Sequence, residues 1–164
     1  MAFGTQDAQM TAGAKAPTFS ALGTDGKTHS LASLSKGGDV YLYFIKIGCP
    51  VNHRAAPHFK KVAESYGPKG NVVGIINGSP QEAKAWAKEY GAKFLILADP
   101  NMKIIRSYGA QHSPWAVTVS KNKVAKVWND GSATTLTALN KSAAKTAGAK
   151  LVAMTFDGAP SGGG

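Results

Sequence analysis

The chain has one cysteine, Cys49, in 164 residues, so no intramolecular disulfide can form and no cysteine cluster can hold a structural zinc. Acidic residues are also scarce: 9 Asp and Glu face 19 Lys and Arg, for a formal charge of +10. That balance favours anionic partners such as an acidic protein or an anionic surface. Arginine runs, basic-aromatic RNA-binding signatures and zinc-finger spacings are missing, so the charge carries no specific nucleic-acid signature. No apolar run approaches the roughly 20 residues that cross a bilayer. The glycine-rich stretches "KGGD" and "GPKGN" lack the Gly-Lys-Ser/Thr of a phosphate loop, and the aspartates are dispersed at turns, which gives a carboxylate-pair hydrolase no support. The opening "MAFGTQDAQMTAGAK" has neither the charged nor the apolar region of a signal peptide. It is like the end left after a signal has been removed, and an exported, extracytoplasmic protein is expected.

What is present is the pattern of one ordinary globular domain, 43% hydrophobic and 17% charged. Residues 1–15 read as a loose arm. The segment Thr24-Asp25-Gly26-Lys27 supplies hairpin turn chemistry. "DVYLYFIKI" (39–47), "NVVGIIN" (71–77) and "FLILAD" (94–99) are apolar and β-branched, the composition of buried strands. Between the first two, Val51, Ala55, Phe59, Val62 and Ala63 share one face of a helix over 50–66, stopped by Gly67 and Pro68. Ser79 and Pro80 open a second helix over 80–90, which Gly91 ends. A short helix over 101–107 follows, and then a hairpin over 115–128 turning at Lys121-Asn122-Lys123. The last helix, 132–148, is capped by Ser132 and closed by Gly148, and "APSGGG" reads as a flexible tail. A helix crossing between the first two buried strands makes them parallel in an α/β domain.

Against this background "YFIKIGCPVNHRAAPHF" (43–59) stands out, because it delivers the lone thiol from the end of a buried strand to the start of a helix. The helix N-terminus and the nearby cations Lys46, His53 and Arg54 favour the thiolate, which is the nucleophile. Pro50, donor-free at the first helical position, stands next to the sulfur. Asn52 can hydrogen-bond but cannot attack a sulfur, so an oxidised Cys49 stops at a sulfenic acid or mixed disulfide until an external thiol releases it. Arg54 or Arg106 would steady a peroxide anion.

Residues 16–148 resemble the thioredoxin-like fold in its redoxin branch, which includes peroxiredoxin-like and extracytoplasmic thioredoxin-like families. The resemblance rests on Cys49 at the strand–helix junction, on Pro57 eight residues later, on "ADPNMKIIRSYGA" (98–110) and on Ser113-Pro114 before a hairpin. It implies a central mixed β-sheet flanked by helices, with an N-terminal β-hairpin extension, and residues 149–164 as a C-terminal extension and tail. It implies an enzyme: a thiol oxidoreductase without a required cofactor, taking a peroxide or disulfide substrate and an external thiol or thioredoxin-type reductant. Pro114, at the place of the family's cis-proline, would frame the substrate with Pro50, Ser113 and Trp115. Two departures are plain. Asn52 stands where thioredoxins carry their second cysteine, and Lys46 stands where peroxiredoxins carry a threonine.

A second resemblance is to the copper-chaperone branch of the same fold. There His53 takes the place of the second cysteine and Gln111-His112-Ser113 that of an Asp-His-Ser stretch. Cys49, His53 and His112 would then form a Cys-His-His set suited to Cu(II) or zinc. His58 falls about 140° round the helix from His53 and is expected to stay out of it; His29 is expected at the surface. A third reading is a degenerate member of the fold that binds a partner through its thiol groove without chemistry.

Overall fold

In the computed structural model, which describes residues 10–111 and 115–161, the chain alternates strands and helices in the expected order. Strands β1 (Ser20–Leu22) and β2 (Thr28–Ser30) form the antiparallel N-terminal hairpin, and α1 (Leu31–Leu34) follows at once. Five further strands build the central mixed sheet: β3 (Val40–Ile45), β4 (Val72–Ile76), β5 (Ile96–Ala98), β6 (Ala116–Ser120) and β7 (Lys123–Trp128). Their spatial order is β5-β4-β3-β6-β7. Strand β3 runs parallel to β4, and β4 to β5, whereas β6 is antiparallel to both β3 and β7. This is the mixed sheet of a thioredoxin-like fold.

The central place of β3 explains its composition. All six residues, Val40 to Ile45, are buried, and the two faces of the strand feed two cores. Tyr41, Tyr43 and Ile45 point to one side. There they meet α2 (Pro50–Ser65), α4 (Pro80–Tyr90) and α6 (Ala133–Ala147) through Ala55, Phe59, Trp86, Leu136 and Leu139. Leu42 and Phe44 point to the other side, against α5 (Lys103–Ser107) and the N-terminal segment through Ile105, Tyr108 and Leu31. Each large side chain fully buried in this way contributes roughly 1.5–3 kcal/mol. A further short helix, α3 (Gly67–Gly70), connects α2 to β4.

Local chemistry sets the helix ends. In α4 the Ser79 hydroxyl accepts from the Glu82 N–H while Glu82 reaches back to the Ser79 N–H, and Gly91 ends the helix in the left-handed region. The β6–β7 turn uses two residues with positive φ, Lys121 and Asn122, which matches the twist of the hairpin.

Both ends of the chain are tied down more than their composition suggests. The arm expected to be loose over 1–15 is paired from Gly13 onward: the Gly13 N–H donates to Val124 O (2.7 Å), the Val124 N–H to Ala14 O (2.8 Å) and the Ala16 N–H to Asn122 O (2.9 Å). Strand β7 is an edge strand with unpaired backbone groups, and the arm satisfies them. After α6 the chain forms neither helix nor strand among the described residues, yet it packs. Phe156 is buried against α2, and Ala159 and Pro160, expected in a flexible tail, lie against the body. Asn140 donates to Val152 O (3.0 Å), and the Val152 N–H donates to the Tyr66 hydroxyl (3.2 Å), so buried polar groups hold the extension in place.

Candidate active site around Cys49

Strand β3 ends at Ile45, and four residues later Cys49 is the N-cap of α2. The connection is a tight turn. The Cys49 N–H donates to Lys46 O (3.4 Å), and Gly48 supplies a φ of +81° that a side-chain-bearing residue adopts at a cost. Asn77, at the end of β4, fixes this loop from its neighbour strand, its Oδ1 accepting from the Ile47 N–H (2.8 Å). Nothing in the residue pattern marked Asn77 for that task.

Cys49 is half-buried and makes no side-chain cap hydrogen bond. Pro50 at the first helical position has no N–H, and the amides of Val51 and Asn52 precede the first intrahelical bond, from the His53 N–H to Cys49 O (3.0 Å). The sulfur thus stands at a helix start whose partial positive charge its own side chains do not neutralise. Lys46 is near enough for a thiolate at Cys49 to favour its ammonium form, although burial outweighs this and moves the Lys46 pKa below the usual lysine range.

Beside the thiol lies a cleft of about 460 Å³. Ile47, Pro50, His53 and Arg54 line one side, and Trp86 and Tyr90 of α4 form the other. Trp86 and Tyr90 pack ring against ring at 4.4 Å, and the Tyr90 hydroxyl is hydrogen-bonded to His53 Nδ1. Burial, then the charge of Glu89, keeps the Tyr90 phenol above its ordinary pKa, so it is neutral and able to donate. The pair joins the first turn of the Cys49 helix to α4 and orients one imidazole at the mouth of the cleft. Tyr90 and Trp86 sit four apart on a helical face, and that spacing alone reads as core.

The expected site residues divide into groups. Cys49, Pro50, His53 and Arg54 meet at the cleft, with Arg54 exposed at its rim. Asn52 also touches the cleft, but its side chain is turned into the core at 3% exposure. There Oδ1 accepts from the Tyr43 hydroxyl and Nδ2 donates to Phe44 O, both at 3.4 Å. Tyr43 is itself fully buried, and burial, then the proximity of Tyr90 and Cys49, raises its phenol far above the ordinary value. Asn52 thereby links α2 to β3 and does not reach toward the sulfur as a hydrogen-bonding partner.

Trp115, expected to wall the thiol pocket, is buried and stacks on Phe59 at 6.1 Å, and the cleft takes its aromatic wall from α4 instead. Arg106 lies on α5, whose buried residues serve the opposite face of the sheet. His29 pairs with Asp25 in the hairpin (2.8 Å), and His58 is buried against Phe156. His112, Ser113 and Pro114 lie outside the described residues. Among the described residues no three His, Cys, Asp or Glu side chains converge. Cys49 and His53, which meet at the cleft, account for two of the three ligands of a Cys-His-His set.

The architecture finds its counterparts among redox proteins. The thiol-disulfide oxidoreductase ResA of Halalkalibacterium halodurans is 27% identical over 123 residues, 73% of this chain and 69% of that protein. Chloroplastic peroxiredoxin Q of Populus jackii is 35% identical over 107 residues, 62% of this chain, and the match spans about half (48%) of that protein. A secreted disulfide oxidoreductase of Mycobacterium tuberculosis, homologous to E. coli DsbE, superposes with a TM-score of 0.60 at 25% identity, covering 77% of this chain and 95% of that one. The stretch from the paired arm through β3, Cys49 and α4 to the penultimate residue of β7, residues 12–127, matches the AhpC/TSA family, and the chain belongs to that family.

Proposed function

We propose that the protein is a monothiol redox enzyme in which Cys49 reduces a peroxide or exchanges with a disulfide and an external thiol completes the cycle. The observation that carries this reading is the position of the chain's sole cysteine: it opens an uncapped helix and is half-exposed in a cleft with Lys46, His53 and Arg54 around it. With a peroxide, the Cys49 thiolate forms an S–O bond as the O–O bond breaks. Sulfur loses two electrons, and the departing oxygen takes up a proton as water or an alcohol. A first external thiol then condenses with the sulfenic acid, releasing water and leaving a mixed disulfide. A second attacks that disulfide, returns Cys49 as thiolate and departs as the oxidised pair. Asn52 cannot replace either thiol, so the reductant is external. The extracytoplasmic setting is part of the proposal, supported by the secreted relative; no helix among the described residues is long and apolar enough to cross a membrane.

The test is the rate of Cys49 alkylation at pH 6–7, measured with and without one equivalent of copper, alongside peroxide consumption driven by an external thiol. Alkylation faster than free cysteine, unaffected by copper, together with turnover that titrates with protein and disappears in Cys49→Ser, is the expected result. Alkylation no faster than free cysteine overturns the enzyme and favours a binding module that keeps the fold. Strong protection by copper, lost in His112→Ala, would transfer the site to metal carriage by Cys49, His53 and His112.

A further inference from the structure

A larger cavity, of about 660 Å³, lies at the far end of the sheet from Cys49. It opens where β4 begins, at Val72 and Val73, whereas Cys49 follows the end of β3 that pairs with Ile76, the last residue of β4. Leu34, Val73, Phe94 and Leu95 make its walls apolar. This volume falls within the range of small-molecule sites, which combine apolar walls with a few placed polar groups.

The polar groups here have a definite balance. Glu64 is the only acid on the lining, and both of its oxygens are engaged: Oε2 with Lys60 Nζ (2.7 Å) and Oε1 with the backbone N–H of Lys93. The Asn71 Nδ2 is also engaged, donating to Leu34 O (2.8 Å) and Asp39 O (3.0 Å). Lys93 Nζ has no carboxylate partner among the described residues. The lining therefore offers an apolar interior and, at the rim, one cation without a carboxylate partner among the described residues.

We propose that this cavity is a second ligand site, separate from the thiol cleft, for an amphipathic monoanion: an apolar chain or ring inside, with a carboxylate on Lys93. Phe94, on the cavity wall, packs edge-on against Trp86 at 6.4 Å, and Trp86 lines the Cys49 cleft. Occupancy is thus visible to a tryptophan without any contact with the ligand. Binding in this cavity requires no chemistry at Cys49.

The experiment is calorimetric titration of the full chain with decanoate, with decanol as the uncharged match and tryptophan emission recorded in parallel. Expected are saturable one-to-one binding of decanoate, at least tenfold weaker binding of decanol, and a loss of at least fivefold in affinity in Lys93→Gln. Leu34→Trp, which fills the mouth of the cavity from a half-buried position, should abolish binding while circular dichroism stays that of the parent. Arg54→Gln, at the other cleft, should bind as the parent does. Absence of saturation, equal affinity for acid and alcohol, or unchanged binding in Lys93→Gln or Leu34→Trp would overturn the proposal. So would a loss in Arg54→Gln, because the anion would then be sitting beside Cys49.

Discussion

Among the described residues three helices exceed ten residues, and their starts are built differently. Helix α4 opens with the Ser79–Glu82 capping box. Helix α6 opens with Ser132, whose hydroxyl accepts from the Thr135 N–H and is backed by Asp130. Even the short α5 receives a carboxylate, Asp99 accepting from the Ile104 N–H (3.1 Å) and the Ile105 N–H (2.9 Å). Helix α2 is the longest and starts with a cysteine that caps nothing. A serine there would add about 1 kcal/mol of stability, the usual worth of such a cap. The chain has that chemistry available and uses it elsewhere, so the open start at Cys49 marks where stability is given up for a thiol held against unpaired amides.

The largest effect is expected at Cys49 itself. Cys49→Ser should reduce thiol-dependent turnover to the uncatalysed background, since no other cysteine can replace the nucleophile. Cys49→Asp should do the same while making α2 resemble its neighbours. A carboxylate at the cap, beside Lys46 and Arg54, should raise stability by about 1 kcal/mol and the melting temperature by about 2–4 °C. Calorimetric scans of the two proteins decide it. A lower melting temperature for Cys49→Asp would show that the helix start is not open to an anion.

The complementary change is Ser79→Ala in α4. It removes a satisfied cap and should cost about 1 kcal/mol, again about 2–4 °C in melting temperature. The alkylation rate of Cys49 should be unchanged, because this helix contributes Trp86 and Tyr90 to the cleft from its middle and end. A slowed thiol in Ser79→Ala would mean that the α4 start and the α2 start are not independent.

The same contrast separates what was legible along the chain from what was not. The capped helices were readable because their signals are local: Ser79, Pro80, Glu82 and Gly91 act within a turn of where they stand, and α4 runs from Pro80 to Tyr90 as expected. Cys49 was readable for the same reason, lying between an apolar strand and Pro50. The walls of its cleft were not. Asn52 faces inward because Tyr43 and the Phe44 carbonyl, nine and eight residues back, offer partners there. Tyr90 meets His53 across 37 residues, and Phe156 comes to rest on His58 from nearly a hundred residues away. Contacts of that range depend on the packing of helices on a sheet, which leaves little trace in spacing or composition.

A smaller effect should come from Tyr90→Phe, which keeps the ring on Trp86 and removes the hydroxyl from His53 Nδ1. Because His53 is exposed, the stability change should stay below about 1 kcal/mol. The thiol should report it more clearly, as a few-fold change in Cys49 alkylation rate. Combining Tyr90→Phe with His53→Ala should add nothing to His53→Ala alone if the hydroxyl acts through the imidazole. Additive effects of the two changes would separate Tyr90 from His53.

The smallest effect lies in the middle of α2, where the logic of its start is reversed and a polar group is shut in. His58 is buried, and its Nδ1 has no hydrogen-bond partner among the described residues. Burial, then the charge of Lys61, holds its pKa below the ordinary histidine value, and Asp157 opposes them only in part. The unfolded chain therefore binds a proton at His58 before the folded chain does. Stability should fall as pH drops through about 6.5, the unfolded value, and the loss should be complete below the folded pKa. His58→Phe keeps a ring against Phe156 and removes both the unpaired nitrogen and the proton. The melting temperature measured from pH 7 to pH 5 should then decline less steeply in the variant than in the parent. Every other histidine is the same in the two proteins, so the difference between the two curves isolates His58. Parallel curves would mean that its proton is held equally well folded and unfolded, and that the C-terminal segment carrying Phe156 and Asp157 does not close over it in solution.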